Sequence, residues 1–188
     1  FLVVVAYAAM LLSPLMPVPV HAASAGRLAA EPGVTALAIR SGLFDAQQDL
    51  IAGDGTTARR DLDGVAGAVS TFVSLLESSP ASAEAIGAAW KDARAAVQAK
   101  DPAALASARG RLWTAMLGAA KAETIAAVRA NDADVAASWL LLREFRPTTK
   151  FARPGADATL ALKDLKAGTI TPDVAITAIN ADLLDTYQ

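Results

Sequence analysis

The sequence predicts an all-α protein: an antiparallel bundle of about six to seven helices that follows an N-terminal signal segment. Three observations support this prediction. Proline and glycine divide the chain after residue 22 into segments of helical length, apolar residues recur within those segments at the spacing of one helix face, and none of the segments shows the alternation of a half-buried strand. A repeat of fixed length, which would indicate a helical-repeat array, is not apparent.

The first two expected helices show an apolar face. The first covers about 34–52 and ends at the turn Gly53-Asp54-Gly55. Three of its apolar residues lie seven apart on one face, namely Leu37, Phe44 and Ile51. The second covers about 57–77 and has the clearest helical period. Its apolar stripe consists of Leu62, Val65, Val69, Phe72, Val73 and Leu76.

Capping residues mark the later helices. A serine, aspartate or threonine followed by proline is a typical helix start, because the side chain caps the first turn and proline suits the first helical position. Such starts lie at Ser79-Pro80, Asp101-Pro102 and Thr171-Pro172. Asn131-Asp132 separates a long fourth helix from a fifth, which is expected to end before Pro147. A short sixth helix is expected over 157–167, before Gly168.

The three tryptophans, Trp90, Trp113 and Trp139, lie on apolar helix faces. Their size and position predict core anchors, and stacking against a ligand is the alternative. A glycine-rich phosphate loop is not expected, because the Gly53-Asp54-Gly55 turn lacks the lysine and the strand-helix context of such loops.

Composition limits the functions that the chain can perform. Its 188 residues are 54% hydrophobic and carry a formal net charge of -2, which suits one domain with a real core and argues against binding of nucleic acid. The chain has no cysteine, and its single histidine is His21. The domain after residue 22 therefore lacks the residues of Ser-His-Asp or Cys-His catalysis and of the usual zinc sites, so we do not expect an enzyme.

Residues 1–22 have the composition of a secretory signal. They contain no charged side chain, and an apolar run over 1–12 precedes a proline-containing region and a Val20-His21-Ala22 cleavage context. An uncleaved anchor is the alternative, although the run is shorter than the roughly 20 residues that span a bilayer. We expect a signal over 1–22 and an exported, periplasmic or extracytoplasmic domain over 23–188. The last helix still runs at Gln188, which predicts a longer natural chain.

A cluster of cations begins at the end of the fifth expected helix and continues toward the sixth. The candidate residues for binding an anion or a partner are Arg143, Arg146, Thr148, Thr149, Lys150 and Arg153. We call residues 143–153 the cationic segment; Glu144 is its single acid. Guanidinium groups suit carboxylate and phosphate, and the threonines add hydroxyl donors. The segment could bind an anion, an acidic partner surface or lipid head groups.

An architectural role for the cationic segment is the alternative. In that case Arg143 and Arg146 would pair with acids of the bundle and hold the segment in place. Acids such as Asp157, Asp182 or Asp185 would be the partners in that case.

Two carboxylate pairs are weak candidates for a metal site. Asp45 and Asp49 lie four apart on the first helix, and Asp182 and Asp185 lie three apart on the last, so each pair can share a helix face. Hard cations, including iron, take oxygen ligands. The Glu-x-x-His elements of di-iron bundles are excluded, because the domain contains no histidine. Solvated helix faces are the alternative explanation.

Two segments resemble a known family. Residues 109–162, which end in WLLLREFRPTTKFARPGADATLAL, and residues 181–188, ADLLDTYQ, are similar to the exported N-terminal region of some bacterial high-affinity iron permeases of the FTR1 type. The resemblance implies a role in iron uptake on the extracytoplasmic side. That family transports iron through Arg-Glu-x-x-Glu motifs in membrane helices. Here Arg143-Glu144-Phe145-Arg146 ends in arginine, so iron coordination is not transferred to Glu144.

The resemblance leads to two functional hypotheses. The first is an accessory or docking domain of an iron permease, whose partner is the permease membrane domain in the same or another chain, together with iron-uptake accessory proteins. The second is a stand-alone periplasmic binding protein for iron or an anionic ligand. Iron would enter either function as the transported ion, and no cofactor is assigned.

Overall fold

A computed structural model of the chain describes residues 31–140 and 157–184, and these ranges form seven helices without a strand. In chain order the helices are α1 (Glu31–Ile51), α2 (Gly55–Ser74), α3 (Pro80–Gln98), α4 (Pro102–Arg129), α5 (Ala133–Leu140), α6 (Ala158–Lys166) and α7 (Pro172–Leu184). The predicted all-α class is confirmed, and each helix occupies the segment in which one was expected. The signal segment and the expected end of α5 lie outside the described residues.

Aspartate side chains that accept two backbone N–H groups cap the start of three of the helices. The carboxylates of Asp54, Asp101 and Asp157 each accept two backbone N–H groups from the first turn that follows, at 2.9–3.1 Å. These bonds satisfy donors that have no partner inside the helix. Ser79 precedes α3 as expected, but its hydroxyl makes no cap bond and turns to another helix instead.

Two glycines end helices in the left-handed region. Gly53 follows α1 with φ of +84°, and Gly168 follows α6 with φ of +70°. Glycine takes this conformation without the penalty that a side chain adds, so both positions allow a sharp turn into the next helix.

The first core joins two helical hairpins, α1–α2 and α3–α4. Its largest fully buried side chains are Ile39, Leu43, Phe72, Ile86, Leu105, Leu112 and Met116. Trp139 of α5 enters this core, and its ring lies 5.6 Å from that of Phe72. The predicted stripe of α2 faces inward, with Val73 and Leu76 partly buried at its end.

A second core lies beyond the hairpins. Helix α4 has 28 residues, about 42 Å at the rise of an α-helix, so its C-terminal end extends past the first core. There α5 and α7 pack against it, and α6 packs against both α5 and α7. The buried residues include Val128, Leu140, Leu162, Leu165 and Ile179. Helix α4 therefore connects both parts of the fold.

The prediction that the tryptophans anchor the core is confirmed fully for Trp139. Trp139 is only 4% exposed. Trp90 and Trp113 are partly buried and pack against the edge of the first core. Each of these two lines a surface groove.

Helix α1 buries a different apolar stripe from the one that the sequence analysis identified. Leu37, Phe44 and Ile51 do share a face, but they are 50%, 51% and 61% exposed. The buried face carries Ala36, Leu43 and Leu50, which are also seven residues apart. The helix thus has two apolar stripes, and the helices packed against α1 cover one of them.

Candidate functional site

Part of the predicted site lies outside the described residues. This applies to Asp185 and to the cationic segment with its candidates Arg143, Arg146, Thr148, Thr149, Lys150 and Arg153. Their roles stay predictions.

The two predicted carboxylates of α1 face different neighbours. Asp45 is exposed, and its Oδ2 accepts a long hydrogen bond of 3.4 Å from the hydroxyl of Ser41. Asp49, one turn later, is half-buried and lies within hydrogen-bonding reach of Asp61 on α2. Asp49 therefore pairs with a carboxylate on the neighbouring helix.

The surroundings of Asp49 raise the pKa of its carboxyl above the usual 3.8. Partial burial is the largest cause, because it disfavours the charged form, and the hydrogen bond and negative charge of Asp61 come next. Asp54 adds repulsion, whereas Arg60, whose Nε lies 3.9 Å from Asp61 Oδ1, opposes the shift. The end of the α1–α2 hairpin thus concentrates negative charge.

The pKa of Asp54 is shifted in the opposite direction from that of Asp49. Its pKa is lowered, first by the hydrogen bond from the backbone N–H of Thr57 at 2.9 Å and then by the Thr57 hydroxyl at 2.7 Å. Thr56 contributes a further N–H at 3.1 Å. These donors stabilise the ionised carboxylate, which makes Asp54 the cap of α2.

The carboxylate of Asp182 reaches the start of α6. Its Oδ2 accepts the backbone N–H of Ala158 at 3.1 Å, beside the cap formed by Asp157. Asp182 thereby ties α7 to the first turn of α6. This contact gives the residue a structural role in the second core.

Among the described members of the two predicted pairs, Asp45 and Asp49 lie on α1 and Asp182 lies on α7. Across 31–140 and 157–184, no three side chains of Asp, Glu, His or Cys form a group that could hold a metal ion. Asp49 faces Asp61 in the α1–α2 hairpin, whereas Asp182 caps a helix of the second core.

Glu123 is a buried carboxylate that sequence reasoning missed. It lies on α4, is 6% exposed, and its Oε1 accepts the backbone N–H of Ser78 at 2.8 Å and the hydroxyl of Ser79 at 2.6 Å. It therefore binds the turn that precedes α3. The sequence signal for this contact is weak, since 44 residues separate Glu123 from Ser79.

A groove of about 660 Å³, which the sequence did not predict, lies between α1 and α4. Its walls and floor are mostly apolar. They consist of Leu37, Ile39, Leu43, Phe44, Ala106, Gly110, Leu112 and Trp113, with Ser41 at one side. The residues that line it include no acid. We call this feature the α1/α4 groove.

Two arginines give the α1/α4 groove a positive charge. The guanidinium of Arg40 lies 6.0 Å from the ring centroid of Trp113, and that of Arg109 lies 5.7 Å from the ring centroid of Phe44. Such stacking holds a guanidinium over an aromatic face and leaves its N–H edge available to a carboxylate. The groove is thus apolar with cations at its border.

A second groove, of about 560 Å³, lies between α2 and α3. Trp90 forms part of it, together with the cations Arg59, Lys91 and Arg94. Asp63 offsets one of these charges through a contact of 3.9 Å with Arg94. All these charged groups are exposed, so this groove is a solvated, cationic surface.

No helix within the described ranges combines the length and the hydropathy that crossing a membrane requires.

Comparison with known protein families gives a match. The model of the family described as the iron permease FTR1 N-terminal domain matches residues 29–188. No curated protein and no solved structure matches the chain.

Proposed function

Since the chain belongs to the family of iron permease FTR1 N-terminal domains, we propose that it acts as an accessory or docking domain of an iron permease during iron uptake. The family is one of transporters rather than enzymes, and membership associates the domain with the membrane part of a permease. In this proposal the domain lies on the extracytoplasmic side, as the composition of residues 1–22 suggests.

The observation that carries the proposal is the extent of the family match. It begins at residue 29, two residues before α1, and continues to residue 188, so it includes both cores and the cationic segment. The cationic segment, which is part of the resemblance to the permease family, therefore belongs to the matched domain.

We assign the docking contact to the cationic segment. Arg146, Lys150 and Arg153 would meet an acidic surface of the membrane domain, in the same or a partner chain, or of an accessory protein. Arginine suits this contact because its planar guanidinium group can donate two parallel hydrogen bonds to one carboxylate. The architectural alternative would place these cations on acids of the bundle.

Capture of the membrane part tests the docking contact. The chain is immobilised and exposed to the detergent-solubilised membrane part of the permease, and bound material is quantified. Arg146→Ala/Lys150→Ala/Arg153→Ala is expected to reduce capture strongly. Arg59→Ala/Lys91→Ala/Arg94→Ala, which removes the same charge at the α2/α3 groove, is the control and should leave capture unchanged. Equal capture by all three proteins would argue against the assignment.

A second candidate, a periplasmic binding protein for iron, has one observation in its favour. The negative charge of Asp61 contributes to the raised pKa of Asp49, and a cation bound beside both carboxylates would offset that charge. Calorimetric titration with ferric citrate and with ferrous iron, and with Mg²⁺ as the control, separates the candidates. A saturable heat of binding that is selective for iron, and that is lost in Asp49→Asn/Asp61→Asn, would support iron binding. Equal, weak heats for iron and Mg²⁺ would support docking.

A further inference from the structure

The exposed stripe of α1 has the length and spacing of a helix-binding face. Its positions alternate by three and four residues and comprise Val34, Leu37, Ser41, Phe44, Gln48 and Ile51. From Val34 to Ile51 the stripe spans 18 residues, about 26 Å along the axis. This spacing is the heptad pattern by which one α-helix packs along another, and the length exceeds that of a small ligand.

The two edges of the stripe carry opposite charges. Arg40 borders it on the side of α4, and Asp45 borders it on the side of α2. Both are exposed. They are five residues apart, which is the separation at which flanking residues of two parallel helices meet. Two parallel copies of α1 would thus set Arg40 of each copy against Asp45 of the other, twice. An antiparallel pair would bring edges of the same charge together.

The α1/α4 groove leaves room for the second helix. At Gly110 an added Cβ would meet no atom within 4 Å, and Ala106 lies one turn earlier on the same helix. Small residues allow a neighbouring helix to approach closely. Arg109, held over Phe44, offers a second guanidinium to the same carboxylate of the other copy.

We propose that the outer face of α1, together with the α1/α4 groove, is a self-association surface on which a second copy of this chain packs its own α1 in parallel. Leu37, Phe44 and Ile51 supply the apolar contact. Ser41 and Gln48 occupy the alternate positions of the seam, where polar residues fix register at some cost in affinity. The proposal is independent of the iron-uptake function.

Single cysteines test the parallel arrangement directly, because the chain contains none. In a parallel pair each stripe residue faces itself, so Val34→Cys and Ile51→Cys of the full 188-residue chain should each form a covalent dimer under mild oxidation. Ser70→Cys, on an exposed position of α2, is the control and should stay monomeric. Cross-linking only in a mixture of the two stripe variants would mean an antiparallel pair and would overturn the proposal, as would cross-linking equal to that of Ser70→Cys.

Charge exchange tests the specificity of the contact by sedimentation equilibrium. Arg40→Asp should weaken the dimer by about tenfold, because two exposed ion pairs become like-charge contacts. Arg40→Asp/Asp45→Arg should restore part of the affinity. Gly110→Leu fills the groove and should weaken the dimer as well, while Gly87→Leu, at an open helical position of α3, should not. A chain that is monomeric throughout, or a dimer indifferent to Arg40→Asp and Gly110→Leu, would overturn the proposal.

Discussion

The indole of Trp139 meets the phenyl ring of Phe72 edge to face, with ring centroids 5.6 Å apart and planes at 85°. This geometry places the positive ring edge against the negative ring face. Phe72 is fully buried in the first core, whereas Trp139 belongs to α5, which also packs in the second. The contact therefore couples the four-helix part of the fold to the three helices that follow.

Removal of this contact should destabilise the whole protein. Trp139→Ala is expected to lower the free energy of unfolding by about 3–5 kcal/mol, through lost burial and the cavity left behind. Trp139→Phe should cost less, because an aromatic ring still fills part of the site. Urea titration followed by far-ultraviolet circular dichroism measures both. Val174→Ala, at a residue 52% exposed, is the control, with an expected change below about 0.5 kcal/mol.

Replacement by alanine at two helical glycines should change the free energy of unfolding in opposite directions. A Cβ at Gly42 of α1 would overlap Cγ1 of Val65 on α2, whereas one at Gly64 would meet no atom within 4 Å. Gly64→Ala should stabilise the protein by about 0.5–1 kcal/mol through helix propensity. Gly42→Ala should destabilise it, because Val65 is β-branched and stiff. Val65→Ala in the same chain should relieve the overlap, and a stable Gly42→Ala single variant would contradict this packing.

The buried carboxylate of Glu123 should matter more than its exposed counterparts. Glu123→Ala leaves the Ser78 N–H and the Ser79 hydroxyl without their acceptor and should cost about 2–3 kcal/mol. Ser79→Ala removes only one donor and should cost less. In a double-mutant cycle the two losses should not add, because both remove the same bond. Additive losses would mean that the bond contributes little.

Asp49 should make stability depend on pH. Its folded pKa is raised above 3.8, so the folded protein binds this proton more tightly than the unfolded chain does. The charged carboxylate therefore destabilises the fold near neutral pH, and the penalty disappears as the pH falls through the folded pKa toward 3.8. Asp49→Asn should raise Tm at pH 7 but not at pH 3. Asp61→Asn should act similarly at pH 7, and a Tm gain that is equal at both pH values would contradict the interpretation.

Much of the fold was predictable because its signals are local. Asp101-Pro102 marks the start of α4 through a cap whose bonds lie within three residues, and Gly168 ends its helix through its own φ angle. The stripe of α2 is unambiguous, because its opposite face is polar. Such features need no knowledge of the rest of the chain.

The site was less predictable because it depends on contacts between distant segments. Asp49 shares its helix with Asp45, yet its pKa is raised by partial burial against the neighbouring helix and by Asp61 on that helix. The seven-residue spacing that begins at Leu37 indicates an apolar face of α1. The sequence could not show that α2 and α4 would instead cover the stripe that begins at Ala36. Periodicity identifies faces; tertiary packing decides which of them is buried.

Iron uptake by cells that express the permease together with this domain tests the proposed function most directly. Uptake of radioactive iron is compared between the natural protein, Arg146→Ala/Lys150→Ala/Arg153→Ala, and the charge-matched control Arg59→Ala/Lys91→Ala/Arg94→Ala, at equal protein levels. Docking through the cationic segment predicts that uptake falls severalfold in the first variant and stays normal in the control. Normal uptake by a folded first variant would contradict it.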